Sequence, residues 1–312
     1  MAIHRATSGI LIIDKPKGIT SHDVVARVRK VTGIRKVGHT GTLDPLATGV
    51  LVVCVGQATR LIEYLVTGLK QYRATIRFGA TTDTLDSEGQ ILSQHDISDL
   101  TPARLEQLLP AFLGEIDQIP PIYSAIKRDG QPLYKAARAG KSVTLEPRRV
   151  TIHTLEWVDW TAPDLTLDVS CSAGTYIRAL ARDLGEAAGT GAYLAELTRT
   201  ANHPWLLDDA VSLNTLVRET ETNSAGWQNY LWPMDEAVKH LPKLILDDAA
   251  ALRVTHGNIV QIAQEKIDVD DMPSRTGAHL LRAYRSNGEF LAILELAEAN
   301  DNIWQPKKVF QT

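Results

Sequence analysis

A loop with a single carboxylate is the part of this sequence best suited to chemistry. Residues 38–49 read G-H-T-G-T-L-D-P-L-A-T-G, and Asp44 is their only acidic residue. Glycines, threonines and a proline at this density disfavour a helix or strand interior. Pro45 biases Asp44 away from the helical region, and the apolar run Val50–Val55 that follows predicts a buried strand. A carboxylate on a stiff loop beside a core strand is a candidate catalytic group.

Other interpretations of this loop stay open on the residues alone. A Gly/Thr-rich loop is often only a turn, and some such loops bind phosphate through backbone N–H groups. A nucleotide-binding P-loop contains a lysine and leads into a helix. This loop has no lysine and leads into a predicted strand, so it fits a P-loop poorly. An ordinary turn remains the main alternative to a catalytic Asp44.

The composition is that of an ordinary globular protein. The chain has 312 residues, of which 44% are hydrophobic and 22% charged, and this length suits one large and one small domain. It contains no apolar run long enough to span a membrane and no signal-peptide pattern. Cys54 and Cys171 lie in apolar runs without zinc-ligand spacing. We therefore expect a cytoplasmic protein without a membrane segment, a disulfide framework or a metal site.

The net charge of −4 argues by itself against a nucleic-acid-binding protein, but the distribution of charge argues for one. No acidic residue lies between Asp23 and Asp44, and a second basic stretch occupies residues 127–149. Solvated helix faces are the alternative explanation of both stretches. The five basic residues of the first stretch are Arg27, Arg29, Lys30, Arg35 and Lys36.

The residues before the loop predict a strand and a helix. Ile10–Asp14 is apolar and stops at a Lys-Pro-Lys-Gly turn. Ser21 is a plausible N-cap for a helix over about residues 22–31, in which valines share one face and basic residues the other. Gly33 should end this helix.

The residues after the loop predict several strands and helices. Lys70–Phe78 alternates between apolar and polar residues, so Tyr72 should face inward. A helix should begin near Arg178 and end near Gly185. A cation in a first helical turn opposes the helix dipole, which indicates that Arg178 has an anionic partner. Further strands are predicted over residues 90–93, 150–160, 165–172 and 194–200, and further helices over residues 59–65, 101–114 and 133–138.

A second, smaller unit follows a linker near residues 231–234. It should begin near Leu244 with a helix around residues 249–252. Two strands over residues 280–284 and 289–296 flank a Ser-Asn-Gly turn, which predicts a hairpin. About 70 residues suffice for a small β-rich module that docks on a larger domain.

Four motifs together resemble one family. They are K-P-K-G-I-T-S at residues 15–21, the loop at residues 38–49, P-P-I-Y-S-A-I-K at residues 120–127 and G-T-Y-I-R-A-L-A-R-D-L-G at residues 174–185. In this order they resemble the TruB family of bacterial tRNA pseudouridine synthases, which isomerise a T-loop uridine at position 55 of tRNA. The resemblance covers the catalytic part of the chain, and the C-terminal tail resembles a PUA domain.

The resemblance implies an α+β fold. The expected architecture is a mixed, mainly antiparallel central sheet flanked by helices, the pseudouridine synthase fold, followed by a small β-rich PUA-like domain. The catalytic domain should occupy residues 1–235, with an RNA-gripping insertion at about residues 127–149. The PUA-like RNA-binding domain should occupy residues 242–312.

The resemblance also implies roles for individual residues. Asp44 matches the catalytic aspartate, Tyr72 the active-site tyrosine and Arg178 the arginine that pairs with the aspartate. The reaction moves a glycosidic bond from N1 to C5 of uracil without redox change, so no cofactor is expected. Arg178 should keep the pKa of Asp44 low, and the target base must flip out of its loop. The residues implied to bind the substrate are His39, Tyr72, Tyr176 and Leu197.

One stretch departs from the family pattern. Two basic residues usually follow the position of Leu197, whereas here Thr198 precedes Arg199, and residues 201–204 are also unusual. A phosphate contact is therefore less expected there.

The implied partner is the T-arm of tRNA, bound by a monomer that needs no obligatory protein partner. Three alternatives remain. The chain could be the subunit of a guide-RNA-dependent enzyme, although its Gly130–Gly140 sequence favours the stand-alone form. It could be a tRNA-folding chaperone, or a nucleotide-binding enzyme that uses the glycine-rich loop.

Overall fold

A computed structural model of the chain describes residues 8–122, 127–128, 131–132, 145–262, 267–268, 279–297 and 302–310. In this part of the chain, the first unit contains five α-helices. They are α1 (Ser21–Thr32), α2 (Ile62–Leu65), α3 (Pro102–Leu108), α4 (Ile177–Ala188) and α5 (Leu213–Thr222). Its strands are β1 (Gly9–Lys15), β2 (Val37–His39), β3 (Thr48–Val55), β4 (Lys70–Phe78), β5 (Ala80–Thr82), β6 (Ile91–Gln94), β7 (Gly114–Gln118), β8 (Lys127–Arg128), β9 (Gln131–Pro132), β10 (Arg148–Thr161), β11 (Asp164–Cys171), β12 (Ala192–Asn202), β13 (Trp205–Leu206), β14 (Val211–Ser212) and β15 (Leu231–Trp232).

The second unit is β-rich. Its elements are β16 (Lys243–Ile245), α6 (Asp248–Thr255), β17 (Val260–Gln261), β18 (Ile267–Asp268), β19 (Leu280–Tyr284), β20 (Phe290–Leu296) and β21 (Ile303–Val309). These strands form one sheet in the order β17-β21-β20-β19-β16-β18. The hairpin predicted around the Ser-Asn-Gly turn is confirmed by the pairing of β19 with β20.

The central sheet has eleven strands, with the main order β14-β1-β3-β12-β4-β11-β10-β7. Two of its strand pairs, β1 with β14 and β3 with β12, are parallel. The other pairs in this order are antiparallel. The predicted fold class is therefore confirmed: a mixed, mainly antiparallel sheet flanked by helices, with a small β-rich unit after it.

Strands β1 and β3 are buried on both faces. Leu11 and Leu51 pack into the main core, together with residues of α1, α4 and α5. Ile10 and Val52 point the other way, as successive strand residues do, and join a second cluster that includes Phe290 of the C-terminal unit. Burial on both faces explains why the sequences of these strands are continuously apolar and do not alternate between apolar and polar residues.

Helix α1 begins at Ser21, one residue before its predicted start. Its N-cap is Thr20, whose side chain accepts a hydrogen bond from the backbone of Asp23 while the Asp23 carboxylate accepts one from the backbone of Thr20. This capping box satisfies two backbone donors at once. The prediction of Ser21 as N-cap was wrong because this side chain bonds to the loop instead. Gly33 ends the helix in the left-handed conformation, as predicted, with φ of 71°.

Helix α4 extends beyond its predicted end. Gly185 lies inside the helix, which continues to Ala188 and is capped by Gly189. A Cβ atom at Gly185 would lie 2.1 Å from the backbone nitrogen of Ala192. The glycine is therefore a point of close helix–strand approach rather than a terminator.

Most other predicted elements are present with shifted ends. Strand β4 has the predicted bounds, whereas the helix predicted to reach residue 114 ends at Leu108 and is followed by a 3₁₀ turn, and β7 was not predicted. Instead of one helix over residues 59–65, a 3₁₀ turn precedes the short α2. The predicted basic helix at residues 133–138 lies outside the described residues.

The predicted domain boundaries at residues 235 and 242 stay predictions. Cys54 and Cys171 are buried free thiols, in agreement with the sequence analysis. No described helix combines the length and apolar character needed to cross a membrane.

Candidate active site

A pocket of about 240 Å³ lies between loop residues 40–44, β4, β12 and the start of α4. Its volume falls a little below the roughly 300–1,000 Å³ of pockets that hold drug-sized ligands, so it has room for a small group only. The predicted site residues that line it are Asp44, Tyr72, Tyr176, Arg178 and Leu197.

Asp44 and Arg178 form an ion pair in this pocket. The Arg178 Nε lies 2.9 Å from Asp44 Oδ2, and the arginine side chain is almost fully buried. The Asp44 side chain keeps 35% of its surface exposed. The carboxylate is thus held from the protein side and open to the pocket.

Arg178 has a second anionic partner that the sequence analysis missed. Its Nη1 lies 3.3 Å from Asp86 Oδ2 and donates a hydrogen bond of 3.0 Å to the backbone oxygen of Thr84. Asp86 is itself only 3% exposed. The expected anionic partner of Arg178 therefore consists of two carboxylates, one on each side.

The segment that carries Asp86 has a strained backbone. Leu85 adopts φ of 64°, the only positive value among the described non-glycine residues, and a bulky side chain rarely occupies this region. The Asp86 carboxylate accepts bonds from the Thr84 hydroxyl and the Glu88 backbone. In the sequence, T-D-T-L-D-S-E-G looks like any polar turn, so nothing marked Asp86 as part of the site.

The pKa of Asp44 is raised above its ordinary value. Burial is the main cause and Asp86 adds to it, whereas Arg178 and Lys15 oppose it. The expectation that Arg178 would keep this pKa low was wrong, because desolvation outweighs the ion pair. A desolvated carboxylate is a stronger base and nucleophile than a hydrated one.

The K-P-K-G-I-T-S motif at residues 15–21 holds the loop through hydrogen bonds. The buried Lys15 donates hydrogen bonds to the backbone oxygens of Ile19 and Pro45, at 2.7 and 3.4 Å. Burial lowers its pKa to about 8. Ser21 Oγ accepts a bond from the Leu43 backbone nitrogen at 2.8 Å and donates one to its oxygen. These contacts flank Asp44 on both sides along the chain.

Arg199 links the first half of the loop to the strand that follows it. It is 1% exposed, and it donates to the backbone oxygens of Val50 at 2.7 Å and Gly41 at 3.1 Å. Gly49, with φ of +94°, packs so closely that a Cβ atom would lie 2.3 Å from the Arg199 oxygen. The sequence analysis noted Arg199 only as a departure from a family pattern. In the structure it clamps the loop to β12.

Tyr72 faces the pocket from β4, as its inward position predicted, and is 7% exposed. Burial raises the pKa of its phenol, and a hydrogen bond with Arg199 opposes this shift. The tyrosine is therefore protonated near neutral pH.

His39 lies beside the pocket rather than in its lining. Its ring contacts His22 edge-on, with centroids 5.6 Å apart. Its Nδ1 is buried and has no hydrogen-bond partner in the part of the chain described here. Burial is the main cause that lowers the pKa of His39 to about 4, so its imidazole is neutral near pH 7.

Tyr176 and Leu197 also line the pocket. The backbone of Tyr176, at the start of α4, exchanges two hydrogen bonds of 2.8 and 3.0 Å with the side chain of Gln118. Leu197 lies on β12 and is largely buried. The described residues contain no cluster of side chains that could hold a metal ion.

The sequence matches known families over most of its length. Residues 29–177 match the TruB family pseudouridylate synthase (N terminal domain), and residues 178–239 match the tRNA pseudouridylate synthase B C-terminal domain. A relative named tRNA pseudouridine synthase B from Pseudomonas aeruginosa (strain UCBPP-PA14) is 42% identical over 297 residues, 95% of this chain and 94% of the relative. A relative of the same name from Thiobacillus denitrificans is 42% identical over 308 residues, 99% of this chain and 97% of the relative.

Two solved structures resemble the whole chain. A crystal structure of a Cbf5-Nop10-Gar1 complex contains a chain that is 29% identical, with a TM-score of 0.73 and coverage of 97% of this chain and 85% of that one. An H/ACA RNP bound to a substrate RNA containing 2′-deoxyuridine contains one that is 27% identical, with a TM-score of 0.72 and the same coverage.

The match to the TruB pseudouridylate synthase model and the names of these relatives identify the chain as a pseudouridine synthase, an isomerase. Within that class, the chain belongs to the TruB family, since it shares 42% identity with family members over nearly its full length. The predicted family and enzyme class are therefore confirmed.

Proposed function

We propose that this protein converts the uridine at position 55 in the T-loop of tRNA to pseudouridine. The observation that carries the proposal is Asp44, held by a buried arginine and open to a base-sized pocket. The relatives named tRNA pseudouridine synthase B support tRNA as the substrate.

The reaction exchanges one bond for another within the same nucleotide. The N1–C1′ bond breaks, the uracil turns, and a C5–C1′ bond forms. The proton on C5 is lost and N1 gains one, so atoms and electrons balance without a redox partner. Asp44 acts as the nucleophile or base, and its desolvated environment suits either role.

Arg178 and Tyr72 both line the pocket and assist the reaction. Arg178 orients the Asp44 carboxylate and stabilises its charge, while Asp86 keeps Arg178 in place. Tyr72 stacks on the uracil and takes part in moving the C5 proton. Tyr176 and Leu197 bind the faces of the base.

His39 helps to hold the base out of its loop. Unstacking a base costs a few kcal/mol, and a ring that takes the place of the base recovers part of that cost. A neutral imidazole beside the pocket is suited to this stacking. Phosphate contacts by the insertion at residues 127–149 and by the PUA-like domain at residues 242–312 supply further binding energy.

We further infer that the enzyme works alone, as a cytoplasmic monomer without cofactor or guide RNA. Identity of 42% to proteins named tRNA pseudouridine synthase B, against 29% to the chain from the Cbf5-Nop10-Gar1 complex, favours the stand-alone form. The similarity to a chain from an H/ACA RNP supports a second hypothesis, that the protein is the subunit of a guide-RNA-dependent enzyme. A tRNA-folding role is compatible with the same binding surface.

The test is pseudouridine formation on an unmodified T-arm RNA without guide RNA or cofactor. Wild type should turn over and modify position 55, whereas Asp44→Asn should bind the RNA and form no product. Asp99→Asn, which changes an exposed acid outside the pocket lining, should behave as wild type. If the wild-type protein binds the RNA tightly but forms no pseudouridine, the guide-RNA-dependent or the chaperone hypothesis is favoured. Equal turnover by Asp44→Asn would remove Asp44 from the mechanism.

A further inference from the structure

A second cavity, a groove of about 490 Å³, lies between helices α1 and α5. It shares no lining residue with the catalytic pocket. Its size falls within the roughly 300–1,000 Å³ of ligand sites in proteins. The residues that line this basic groove are Arg27, Lys30, Val31, Asn214, Val217, Arg218, Thr220 and Glu221.

Helical spacing explains how these residues meet. Arg27 and Lys30 are three residues apart on α1, with Val31 next to them on the same face. Val217 and Glu221 are one turn apart on α5. The two valines are half-buried and the charged residues are exposed, so the groove has an apolar floor and a charged rim.

The rim is strongly basic. It has three cations, Arg27, Lys30 and Arg218, and one carboxylate, Glu221, whereas the whole chain has a net charge of −4. In the part of the chain that the structure describes, none of the three cations is in an ion pair. Arg27 lies one helical turn from Asp23 and helps to lower the pKa of that carboxyl, but no ion pair is formed. The excess of cations over carboxylates on the rim favours a polyanion.

Helix stability explains only part of this charge. Lys30 lies in the last turn of α1, where a cation interacts favourably with the helix dipole. Arg27 lies in the middle of α1 and Arg218 in the middle of α5, where the dipole has little effect.

The groove is linked to the catalytic loop through α1. Ser21, the first residue of α1, bonds to Leu43 beside Asp44. Arg27 and Lys30 follow Ser21 by six and nine residues, roughly 9 and 14 Å along a helix that rises about 1.5 Å per residue. One strand of a nucleic-acid helix advances about 3.4 Å per phosphate. Along the axis of α1, the two basic residues therefore lie within the length of a few nucleotides from Ser21.

We propose that this basic groove binds the phosphodiester backbone of the same tRNA, outside the nucleotide that enters the catalytic pocket. The proposal rests on the proposed function for the identity of the RNA. It adds a phosphate-binding surface on α1 and α5, separate from the insertion and from the C-terminal unit. The apolar floor lets the sugar edge pack while the three cations contact phosphates.

The test compares two variants that each remove three cations. The groove variant is Arg27→Gln, Lys30→Gln and Arg218→Gln. The matched control is Arg73→Gln, Arg77→Gln and Lys239→Gln, three exposed cations outside the groove. Binding of an unmodified full-length tRNA transcript to the full chain is measured at several salt concentrations.

The groove variant should bind tRNA about tenfold or more weakly at low salt, and the control less than threefold. The slope of log K against log salt should fall by about two in the groove variant, because each phosphate contact contributes roughly 0.7 to 0.9. Glu221→Lys should tighten binding and steepen the slope. A gain of affinity in this variant cannot result from misfolding.

The proposal is overturned if the groove variant matches the control in affinity and slope. That outcome includes the case in which the groove binds a protein rather than RNA. Because binding is measured without turnover, its result is independent of the reaction. If tRNA binding depends on the groove cations as expected but no pseudouridine forms at position 55, only the proposed function is overturned.

Discussion

Arg178 is the residue on which the two carboxylates of the site converge. Asp86 lies on the protein side and is buried, whereas Asp44 reaches the pocket and stays partly exposed. The same guanidinium therefore has one buried partner and one, the proposed catalytic acid, that is open to the pocket. This division explains how a buried arginine can serve an acid that must remain accessible.

Asp86→Asn should lower kcat by about 10–100-fold and change KM less than threefold. The substitution keeps the shape of the side chain but removes the charge that fixes Arg178, and a misplacement of about 1 Å can cost on the order of a hundredfold in rate. Steady-state kinetics on unmodified tRNA would measure both constants.

The control for this prediction is Asp83→Asn, an exposed acid of the same segment that accepts a hydrogen bond from Gln90 and does not contact Arg178. It should leave both constants near their wild-type values. An unchanged kcat in Asp86→Asn, or an effect confined to KM, would contradict the positioning role.

The sequence could predict part of this site. Asp44 and Tyr72 followed from loop chemistry and strand alternation, and Arg178 from a cation placed against a helix dipole. Asp86 and Arg199 could not be predicted, because their partners are distant in sequence. Arg199 bonds to residues about 150 positions away, and no local pattern contains such a contact.

Helix α4 and strand β12 pack closely enough to position Arg178 against the sheet. Gly185 lies where the helix meets the backbone of Ala192, and Arg178 lies at the other end of the same helix. Helix α1 plays a comparable part for Asp44, since Ser21 bonds to Leu43. Two helices thus fix the two members of the ion pair.

Gly185→Ala should destabilise the protein by about 3 kcal/mol, although alanine has the higher helix propensity by about 1 kcal/mol. The reason is the overlap of the new Cβ with the Ala192 nitrogen, 2.1 Å away. Chemical unfolding monitored by circular dichroism would measure the change.

Gly33→Ala is the matched control. No atom lies within 4 Å of its Cβ position, but its φ of +71° is left-handed, so a loss of about 1 kcal/mol is expected. Equal losses in both variants, or a gain in Gly185→Ala, would show that helix α4 can move away from β12.

Local patterns predicted the existence of elements better than their ends. Strand β4 alternates over its whole length, so its bounds were clear. A glycine in a helical sequence pattern can indicate either the end of the helix or a close packing contact. Gly33 ends a helix, whereas Gly185 lies inside one and packs closely against a strand. Thr20 and Ser21 are both good caps, and only the loop contact of Ser21 decides between them.

At the scale of the whole molecule, the two units share one hydrophobic cluster. Ile10 and Ile12 of β1 pack in it with Phe290 and Phe310 of the C-terminal unit. Polar contacts surround the cluster. Arg60 donates to the Val309 oxygen at 2.6 Å and stacks on Phe310, Lys308 pairs with Glu63, and the Tyr284 hydroxyl donates to Asp235 at 2.8 Å.

Phe310→Ala should weaken the docking of the C-terminal unit. The side chain is 1% exposed and stacks on Phe290 at 5.0 Å, and removal of such a ring costs about 3–5 kcal/mol. We expect unfolding to separate into two transitions and limited proteolysis to cut between the units.

Ile245→Ala serves as the control, because this residue belongs to the same unit but is 57% exposed. It should change stability by less than about 0.5 kcal/mol. A single cooperative transition in Phe310→Ala, at wild-type stability, would show that the shared cluster does not hold the units together.

The sequence predicted a small docked β-rich unit but not its docking surface. The shared cluster joins Ile10 to Phe310, which are separated by almost the entire chain. The one local sign was the unbroken apolar character of β1 and β3, which indicates burial on both faces without identifying what covers the second face.

The burial of β1 and β3 on both faces of the sheet affects how the chain folds during synthesis on the ribosome. These strands are complete by Val55, but Phe310 is added about 250 residues later. At about 5–20 residues per second, the interval is on the order of tens of seconds. During that time one face of the nascent sheet lacks its permanent cover, so this enzyme should depend on chaperones until its last strands emerge. The same logic makes a catalytic fragment without the C-terminal unit prone to aggregation.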